Sequence, residues 1–438
     1  MGEGEGEELV EHRGVLLYAT EQAAMVDLET LLRTKLDTLY FEAEDGHVTN
    51  LALDKFERRG QLPDSLTNFK ELRTLNLEDN QWTLPEGIWQ ITSLQTLILD
   101  DNPLHVLPEE VWQLQSLRVL SLAGTKLEFL PESIGKLKSL EILDARANKL
   151  QTIPDAIGQL ESLKELELAG NSLSHLPEVI GNLESLQHLS INGQYAFDAH
   201  GQFKQSPLAE LPDSVGWLQS LQRLVAKDNG LSALPESTGN LQSLQHLDVS
   251  NNKLAALPES VGRLQSLQHL DASHNQLAAL PESVGQLQSL QHLDVSHNQL
   301  AELPESVGQL HSLRYLDLNQ NQIASIPDSV GQLRSLDVLN LSLNRLEALP
   351  ETIGQLQWLT DINLEGNQLT SLPESIGQLR ALKYLRLRGN YIESLPIGMS
   401  QLTLLREIDL RDNPLTSLPD AIEQWLLNLQ SHHCRVSR

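Results

Sequence analysis

The stretch "LPESVGQLQSLQHLDVSHNQLAE", residues 280–302, contains the pattern on which most of this chain is built. Its centre alternates apolar and polar side chains, which is the period-two pattern of a β-strand with one buried face. The alternation places His292, Asp294 and Ser296 together on the opposite face. These are the residue types of a hydrolase triad, so the first question is whether the stretch is a catalytic site or a structural unit.

The stretch recurs along the chain with a nearly constant period. Prolines that follow Leu or Ile run from Pro63 to Pro419, and of their fifteen intervals thirteen are 23 residues, one is 22 and one is 35. This regularity indicates a tandem array, whose units cannot bury their leucines alone and must stack on one another. The His, Asp and Ser trio recurs with the array, at 246–250 and 269–273.

Each period contains the motif L-x-x-L-x-L-x-x-N-x-L, as in "LRTLNLEDNQW" (72–82) and "LRYLDLNQNQI" (313–323). Over about residues 47–425 the motif resembles the leucine-rich repeat family, in the 23-residue class of Scribble, Ras-suppressor, plant Ras-group and bacterial repeat proteins. The resemblance implies an α/β solenoid, curved like a horseshoe, with a parallel sheet on its concave side. It also implies short 3-10 or helical segments on the convex side and helical caps at both ends.

The residues themselves favour the same fold. Thirteen of the fifteen full repeats place asparagine after the strand, with Thr125 and Gln194 as the exceptions. This asparagine can bond backbone groups of the turn, and stacked repeats can share those bonds. Return segments such as "LPESVGRLQSL" (257–267) place apolar residues every three positions, which suits a short 3-10 segment. Asp or Glu follows fifteen of the sixteen phased prolines, where an acid stabilises the free N–H groups of a first turn. The alternative for this acidic row is a stripe that binds cations or a partner.

Three parts are predicted along the chain. Residues 1–46 form an N-terminal helical cap, with apolar residues at helical spacing between 20 and 40 and Thr20 as its N-cap. Residues 47–419 form the repeats, with about sixteen strands and an insertion near 195–206. Residues 420–438 form a cap helix followed by a flexible tail, "SHHCRVSR".

Composition and charge restrict the function. The formal net charge of −28 argues against nucleic acid, because phosphate binding requires clustered Lys and Arg. No apolar run approaches the roughly 18 residues of a membrane span. The first residues lack the pattern of a secretory signal, and the single Cys434 excludes an intramolecular disulfide. We therefore expect a monomeric cytoplasmic protein without cofactors; the alternative is delivery into a host cell without a cleaved signal peptide.

Candidate binding residues lie in columns, since each repeat contributes one exposed side chain to every column of the sheet. The centre is a lattice of His, Asp and Ser, and the end is aromatic and basic. Arg and Tyr are favoured at binding hot spots, so the end is the preferred contact. The predicted partner-binding residues of the concave face are His246, Asp248, His269, Asp271, His292, Asp294, Tyr315, Asp317, Tyr384, Arg386, Arg388 and Arg411.

The central lattice allows other interpretations. His and carboxylate side chains bind zinc and other transition metals, and a column of histidines could make binding depend on pH. However, strands at roughly 4.8 Å spacing set these groups in an open row rather than a tetrahedral pocket. Repeats 258–280 and 281–303 differ at only three of 23 positions, so duplication alone also explains the lattice.

The 35-residue interval contains an insertion with Tyr195, Phe197 and Phe203. Insertions in solenoids emerge as loops, and long loops are often functional. The insertion is therefore either a binding loop or a loop whose aromatic side chains pack on the adjacent turn.

The sequence favours a non-enzymatic scaffold that binds a protein partner on the concave face. The family resemblance suggests signalling proteins, including small GTPases, as partners, and it also suggests a bacterial effector. A hydrolase or metal-binding protein that uses the His, Asp and Ser lattice is one alternative. A self-assembling structural repeat protein is the other.

Overall fold

Each repeat forms one short strand and a 3-10 return segment, as the spacing of its leucines predicts. In the repeat 280–302, Leu293 is fully buried, whereas His292 and Asp294 on the same strand are half-buried. The structure, a computed structural model, describes residues 8–37, 40–56, 59–197, 203–204, 208–416 and 418–438. They belong to two compact units, unit 1 (residues 1–208) and unit 2 (residues 209–438).

The described residues of unit 1 form one α-helix, α1 (Ala19–Leu32), and a series of short strands. Its strands are β1 (Leu9–His12), β2 (Val15–Tyr18), β3 (Phe41–Glu44), β4 (His47–Ala52), β5 (Arg59–Gln61), β6 (Thr74–Asn76), β7 (Gln81–Thr83), β8 (Thr96–Ile98), β9 (Val119–Ser121), β10 (Ile142–Asp144), β11 (Glu165–Glu167), β12 (His188–Ser190), β13 (Ala196–Phe197) and β14 (Phe203–Lys204). Its 3-10 segments are Asp64–Asn68, Glu86–Gln90, Glu109–Gln113, Glu132–Lys136, Asp155–Gln159 and Glu178–Asn182.

Unit 2 ends in the second α-helix, α2 (Asp420–Ser431), followed by a strand. Its strands are β15 (Arg223–Val225), β16 (His246–Asp248), β17 (His269–Asp271), β18 (His292–Asp294), β19 (Tyr315–Asp317), β20 (Val338–Asn340), β21 (Asp361–Asn363), β22 (Tyr384–Arg386), β23 (Glu407–Asp409) and β24 (Arg435–Ser437). Its 3-10 segments are Asp213–Trp217, Glu236–Asn240, Glu259–Arg263, Glu282–Gln286, Glu305–Gln309, Asp328–Gln332, Glu351–Gln355, Glu374–Gln378 and Ile397–Gln401.

The repeat strands of each unit pair in parallel, one repeat after the next. In unit 1 the ladder runs from β4 through β6 and β8 to β12, and β3 pairs with β4 in the antiparallel direction. In unit 2 it runs from β15 to β24. Neighbouring strands are offset by one whole repeat, so equivalent residues of successive repeats are paired. His269 thus lies beside His292, and Asp271 lies beside Asp294. The predicted solenoid of strands and 3-10 segments is confirmed within each unit.

The ladder asparagines connect neighbouring turns. Asn275 is buried, and its Nδ2 donates to the carbonyl oxygens of Val249, Ala272 and Ser273 at 3.0 to 3.1 Å. Its Oδ1 accepts from the backbone N–H of Leu254 at 2.9 Å. Because one side chain bonds two successive repeats, the asparagine stabilises both the turn and the stacking, as predicted.

The two ends of the array differ from the prediction in detail. Helix α1 begins at Ala19 with Tyr18 in the cap position and no side-chain capping bond, so the assignment of Thr20 as N-cap is wrong. The apolar stripe of α2 is buried as expected, from Ile422 to Leu429. The flexible tail is also wrong, because β24 continues the parallel sheet beside β23. There, the N–H of Leu410 donates to the Ser437 carbonyl oxygen at 2.7 Å.

The remaining pairings are local. Strands β1 and β2 form an antiparallel hairpin, β5 and β7 pair in parallel, and β13 and β14 pair antiparallel within the insertion. The boundaries at 46 and 419 stay a prediction. None of the described helices has the length and apolar character needed to cross a bilayer.

Candidate functional site

The candidate site is the sheet face of unit 2, meaning the outward side chains of strands β15 to β23. The strand alternation turns the leucines inward and leaves two outward columns per repeat. All twelve residues that the sequence assigned to partner binding belong to unit 2. The structure brings eight of them together on strands β16 to β19 and places the other four on or just after β22 and β23.

The first outward column contains a stack of four rings. The ring centroids of His246 and His269 are 4.4 Å apart, and those of His269 and His292 are 4.2 Å apart. Tyr315 continues the stack at 4.3 Å from His292, with the two rings nearly parallel at 2°. The whole-repeat register produces this arrangement, because it sets equivalent side chains one strand spacing apart. The four rings form a continuous aromatic surface across β16 to β19.

The second outward column contains four aspartates in the same register, Asp248, Asp271, Asp294 and Asp317. Their hydrogen bonds come from neutral groups: the hydroxyls of Ser250 and Ser273 donate to Asp248 and Asp271, each at 2.7 Å. Among the described residues, no Lys or Arg forms an ion pair with any of the four carboxylates. The column is therefore a row of negative charge without a cationic partner in the described chain.

Burial within the lattice favours neutral histidines. Desolvation, with a smaller contribution from the neighbouring His269, lowers the pKa of His292 from 6.5 to about 4. Desolvation also lowers the pKa of His269, although Asp271 and Asp248 oppose the shift. Desolvation raises the pKa of Asp294. The pKa of about 4 argues against a switch between pH 5 and 8 at His292, and the lowered pKa of His269 favours its neutral ring.

Strand β18 does not have the triad geometry that the hydrolase interpretation requires. Asp294 accepts the backbone N–H of Ser296 at 2.9 Å, and the ring of His292 stacks between His269 and Tyr315. A triad would instead require the histidine to bond both the serine hydroxyl and the aspartate. In the described part of the chain, no group of three or more His, Cys, Asp or Glu side chains could hold a metal ion.

The aromatic and basic end of the sheet face is internally paired. Nη1 of Arg386 lies 2.7 Å from Oδ1 of Asp361, and Nε of Arg411 lies 2.9 Å from Oδ1 of Asp409. Nε of Arg388 lies 2.8 Å from Oδ2 of Asp412. These carboxylates compensate the arginine charges locally, which makes this end a weaker attractor for an acidic partner than the sequence indicated.

Several of the acids that follow the prolines bond the next repeat rather than their own segment. Oε2 of Glu109 accepts the N–H of Ser133 at 3.0 Å, and Oε2 of Glu374 accepts the N–H of Gly398 at 2.8 Å. Each bond joins one 3-10 segment to its successor. This geometry supports the structural interpretation of the acidic row over a binding stripe.

The described part of the insertion contacts the preceding turn. The N–H of Tyr195 donates to the Asn171 carbonyl oxygen at 2.6 Å, and the Ser172 hydroxyl donates to the Tyr195 carbonyl oxygen at 2.5 Å. The backbones of Phe197 and Phe203 are paired in the β13–β14 register, and their side chains lie outside the described residues. The choice between a binding loop and a packing loop stays open.

The sequence analysis did not identify a second stack, which has two rings and is separate from the four-ring stack. His274 and His297 occupy the turn after the strand, with centroids 3.8 Å apart and positive φ angles of 53° each. The column of Gly, Asp and Asn residues at this position is the sequence signal that could have identified a left-handed turn. These two rings form a separate stack in the turns that follow β17 and β18.

Comparisons with known proteins agree with this geometry. The family model of the leucine-rich repeat region matches residues 109–199, 202–278, 270–342 and 305–382, and a second leucine-rich repeat model matches 357–415. No curated protein sequence matches the chain.

Solved structures of three proteins illustrate the similarity. A leucine-rich repeat protein of Leptospira interrogans is 36% identical over 89% of this chain and 95% of that one, with a TM-score of 0.77. The plant peptide hormone receptor RGFR1, solved in complex with RGF2, is 30% identical over 87% and 69%, with a TM-score of 0.64. Toll in its Drosophila complex with Spatzle is 23% identical over 83% and 47%, with a TM-score of 0.66, and it shows the fold alone.

The repeated strands, the asparagine ladder and these matches lead to one conclusion: this chain belongs to the leucine-rich repeat family.

Proposed function

We propose that the protein is a non-enzymatic scaffold that binds a protein partner on the sheet face of unit 2. The observation that carries the proposal is the row of four aspartates, to which no described Lys or Arg is paired, beside four stacked rings. Aromatic groups supply large contact areas at interfaces, and complementary charge directs the association of partners. The solved complex of RGFR1 with RGF2 supports a binding role for a relative of this chain.

The chemistry of the face specifies the partner in part. A surface rich in Lys or Arg would neutralise the aspartate row, and its apolar or aromatic groups would cover the ring stack. Signalling proteins, including small GTPases, belong to the proposal through family resemblance. The centre of the face, rather than its internally paired basic end, is the proposed contact.

The test compares two triple variants that change the net charge by the same amount. Asp248→Asn, Asp271→Asn and Asp294→Asn together remove three carboxylates from the sheet face. Glu259→Gln, Glu282→Gln and Glu305→Gln together remove three exposed carboxylates from the 3-10 segments. Affinity capture from the native cell, followed by binding measurements with the captured protein, gives the readout.

We expect the aspartate variant to lose about tenfold or more in affinity, and the glutamate variant to bind like the wild type. A third variant, Arg386→Glu with Arg388→Glu, reports on the basic end. Equal binding by the wild type and the aspartate variant would contradict the proposal. Loss of binding only in the arginine variant would move the contact to the basic end.

The proposal includes the oligomeric state and the location of the protein. We expect a cytoplasmic monomer, which is either resident in its own cell or delivered into a host cell as a bacterial effector. The single cysteine supports a reducing compartment, and the Leptospira relative supports a bacterial comparison. Light scattering tests the monomer, since a self-assembling repeat protein would show a mass that rises with concentration. Fractionation of cells that express the tagged protein tests the location.

A further inference from the structure

The connectors that lead into the last five repeat strands of unit 2 concentrate positive charge. Each connector joins a 3-10 segment to the next strand, and their ranges are 310–314, 333–337, 356–360, 379–383 and 402–406. Together they contain five cations and one acid, Asp337, although the net charge of the chain is −28. We call these cations the cationic row: Arg314, Arg334, Arg380, Lys383 and Arg406.

The cationic row does not follow from copying of the repeat. The four preceding connectors of unit 2 all read "LQSLQ" and contain no charged residue: 218–222, 241–245, 264–268 and 287–291. The cations therefore replace uncharged residues at the same positions of otherwise similar repeats.

Neighbouring acids do not neutralise the cationic row. Among the described residues, none of its five members forms an ion pair. The equivalent connectors of unit 1 differ, since Nζ of Lys164 lies 2.7 Å from Oε2 of Glu141 and other cations there are paired too. Asp337 instead accepts a hydrogen bond from the Thr360 hydroxyl at 2.5 Å. The four arginines are exposed, so their guanidinium groups are accessible to the acidic groups of another molecule.

An exposed tryptophan lies in the middle connector. Trp358 is 70% exposed, and it lines a recess of about 380 Å³ together with Arg314 and Arg334. Most repeats of unit 2 have serine at its position, and the Ser289 and Ser312 hydroxyls each donate to a carbonyl oxygen of the preceding repeat at 2.7 Å. Tryptophan gives up this structural bond and exposes a large aromatic ring, which is favoured at binding contacts.

The order of these groups suits an extended chain. Arg314 and Arg334 precede Trp358 along the repeats, and Arg380, Lys383 and Arg406 follow it. Five successive connectors extend over four strand spacings, which is roughly 19 Å at about 4.8 Å each. An extended peptide rises about 3.3 Å per residue, so a segment of about six residues matches this length.

Acids border the cationic row on both sides. Four of the preceding 3-10 segments begin at exposed acids, namely Glu305, Asp328, Glu351 and Glu374. Three of the following strands contain acids at their ends, namely Asp317, Asp361 and Glu407. A broad polyanion such as a nucleic acid would meet these carboxylates, whereas a single extended peptide can lie between them. The borders favour an acidic peptide over nucleic acid.

We propose that the cationic row of unit 2 binds an extended acidic segment of a protein partner, in which acidic side chains flank apolar ones. The carboxylates pair with the cations at both ends of the row, where each arginine can offer two parallel N–H donors. The apolar side chains cover Trp358. The row shares no residue with the four aspartates or the four-ring stack, so this contact is additional to the sheet face and does not depend on it.

The test uses four small probes on the full chain. The first is acetyl-Glu-Glu-Leu-Leu-Glu-Glu amide, and the second is acetyl-Leu-Glu-Glu-Glu-Glu-Leu amide, which has the same composition in another order. The third is acetyl-Gln-Gln-Leu-Leu-Gln-Gln amide, and the fourth is the oligonucleotide hexathymidylate. Calorimetry measures their affinities, and nuclear magnetic resonance follows the indole N–H signal of Trp358, which is assigned through its absence in Trp358→Ser.

We expect the first peptide to bind most tightly of the four and to shift the Trp358 signal. Its affinity should decrease as the salt concentration rises, because salt screens exposed charges.

Two double variants that remove the same charge test the arginines. Arg314→Gln with Arg334→Gln removes two members of the cationic row. Lys253→Gln with Arg345→Gln removes two cations from the turns at the other end of the strands. We expect the first variant to weaken the first peptide by about two- to thirtyfold, and the second to bind it like the wild type.

Two single variants test the apolar contact. Trp358→Ser and Trp217→Gln each replace an exposed tryptophan by the residue that most equivalent positions contain. We expect Trp358→Ser to weaken the first peptide by about three- to tenfold, and Trp217→Gln to have no effect.

The outcomes separate the parts of the proposal. Equal binding by the wild type and the arginine variant, or equal losses in both double variants, would overturn the site. Equal binding of the uncharged peptide would overturn the charge assignment. Equal binding of the reordered peptide, or an unchanged affinity of Trp358→Ser, would overturn the apolar contact. Tighter binding of hexathymidylate than of the first peptide would overturn the assignment to a protein partner.

Discussion

At the scale of single residues, the buried asparagines explain why this fold tolerates so many polar groups inside. Asn275 satisfies three carbonyl groups and one N–H with a single side chain, and the equivalent residues repeat this arrangement, as Asn298 does. Even Gln194, which replaces asparagine before the insertion, donates to Leu168 and Ile191 carbonyl oxygens in the same way. An amide that both donates and accepts fills this position in most repeats, and at Thr125 a hydroxyl that donates to the Leu122 carbonyl oxygen replaces it.

The first prediction concerns this ladder. Asn275→Ala should lower the free energy of unfolding by about 2–4 kcal/mol, because each buried group left unpaired costs about 1–3 kcal/mol. Urea denaturation followed by circular dichroism measures the change. Gln276→Ala, at the exposed neighbouring residue, is the control and should be nearly neutral. Equal stability of the two variants would show that the ladder contributes little.

The second residue-scale prediction concerns His292 and the pH dependence of stability. Since folding lowers the pKa of His292 to about 4 from 6.5, the unfolded chain binds more protons between these values. The free energy of unfolding that depends on the neutral His292 ring therefore decreases as the pH falls from 6.5 towards 4. Below about pH 4 it decreases no further. His292→Gln should remove this loss, by about 1 kcal/mol once its half-exposed ring is considered.

Side chains near His292 also affect how the stability of the protein depends on pH. His269, Asp271, Tyr315 and Asp317 face His292 from the adjacent strands. The raised pKa of Asp294 has the opposite sign, since protonation of that carboxyl on folding increases stability as the pH falls. The informative quantity is thus the difference in urea midpoint between wild type and His292→Gln across pH. His311→Gln, at an exposed histidine, should leave the wild-type slope unchanged.

At the scale of the element, the 3-10 segments pack so closely that their glycines have a steric role. A Cβ added at Gly285 would lie 2.7 Å from Cβ of Ser306 in the next segment and closer still to the Ser306 carbonyl oxygen. The same approach recurs at Gly262 and Gly308. Backbone atoms cannot move aside as a flexible side chain can, so a larger residue at these three glycines would require the neighbouring segment to shift.

The third prediction follows from this packing. Gly285→Ala should destabilise the protein by about 2–3 kcal/mol, because the added methyl group overpacks a backbone contact. The comparison is with Gln286→Ala at the next, exposed position of the segment, which should change stability little. Thermal or urea unfolding distinguishes them. A neutral Gly285→Ala would mean that the segments separate easily.

At the scale of the molecule, the last residues of unit 2 form the strand that covers β23. Strand β24 covers the edge of β23, with the Arg435 N–H donating to the Arg406 carbonyl oxygen at 2.8 Å. An uncovered strand edge presents unpaired N–H and C=O groups that template association with another chain. The tail therefore protects the backbone groups of β23 from such contact, because it pairs with them.

The fourth prediction tests this protection. A chain that ends at Cys434 lacks β24 and should associate as its concentration rises, whereas a chain that lacks only Arg438 should keep the wild-type mass. Light scattering over a range of concentrations measures the mass. If the shorter chain stays monomeric, helix α2 alone suffices to protect this end.

The sequence by itself determined the repeating fold. The leucine period specified the strands, the spacing of apolar residues specified the 3-10 segments, and the position of Asn275 and its equivalents specified the ladder. These features follow from local periodicity and turn chemistry, which each repeat contains in full. The columns of the sheet face also followed, because parallel pairing in whole-repeat register aligns equivalent residues.

The tertiary structure alone decided which of those aligned groups are paired. Arg386 pairs with Asp361 on the preceding strand, whereas no Lys or Arg of the described chain pairs with the aspartate row, and only the distances between side chains show the difference. The tail strand and the recess at Trp358 likewise depend on what lies beside them in space. Such contacts join residues a repeat or more apart, and their strength depends on separation and burial, which no single period encodes.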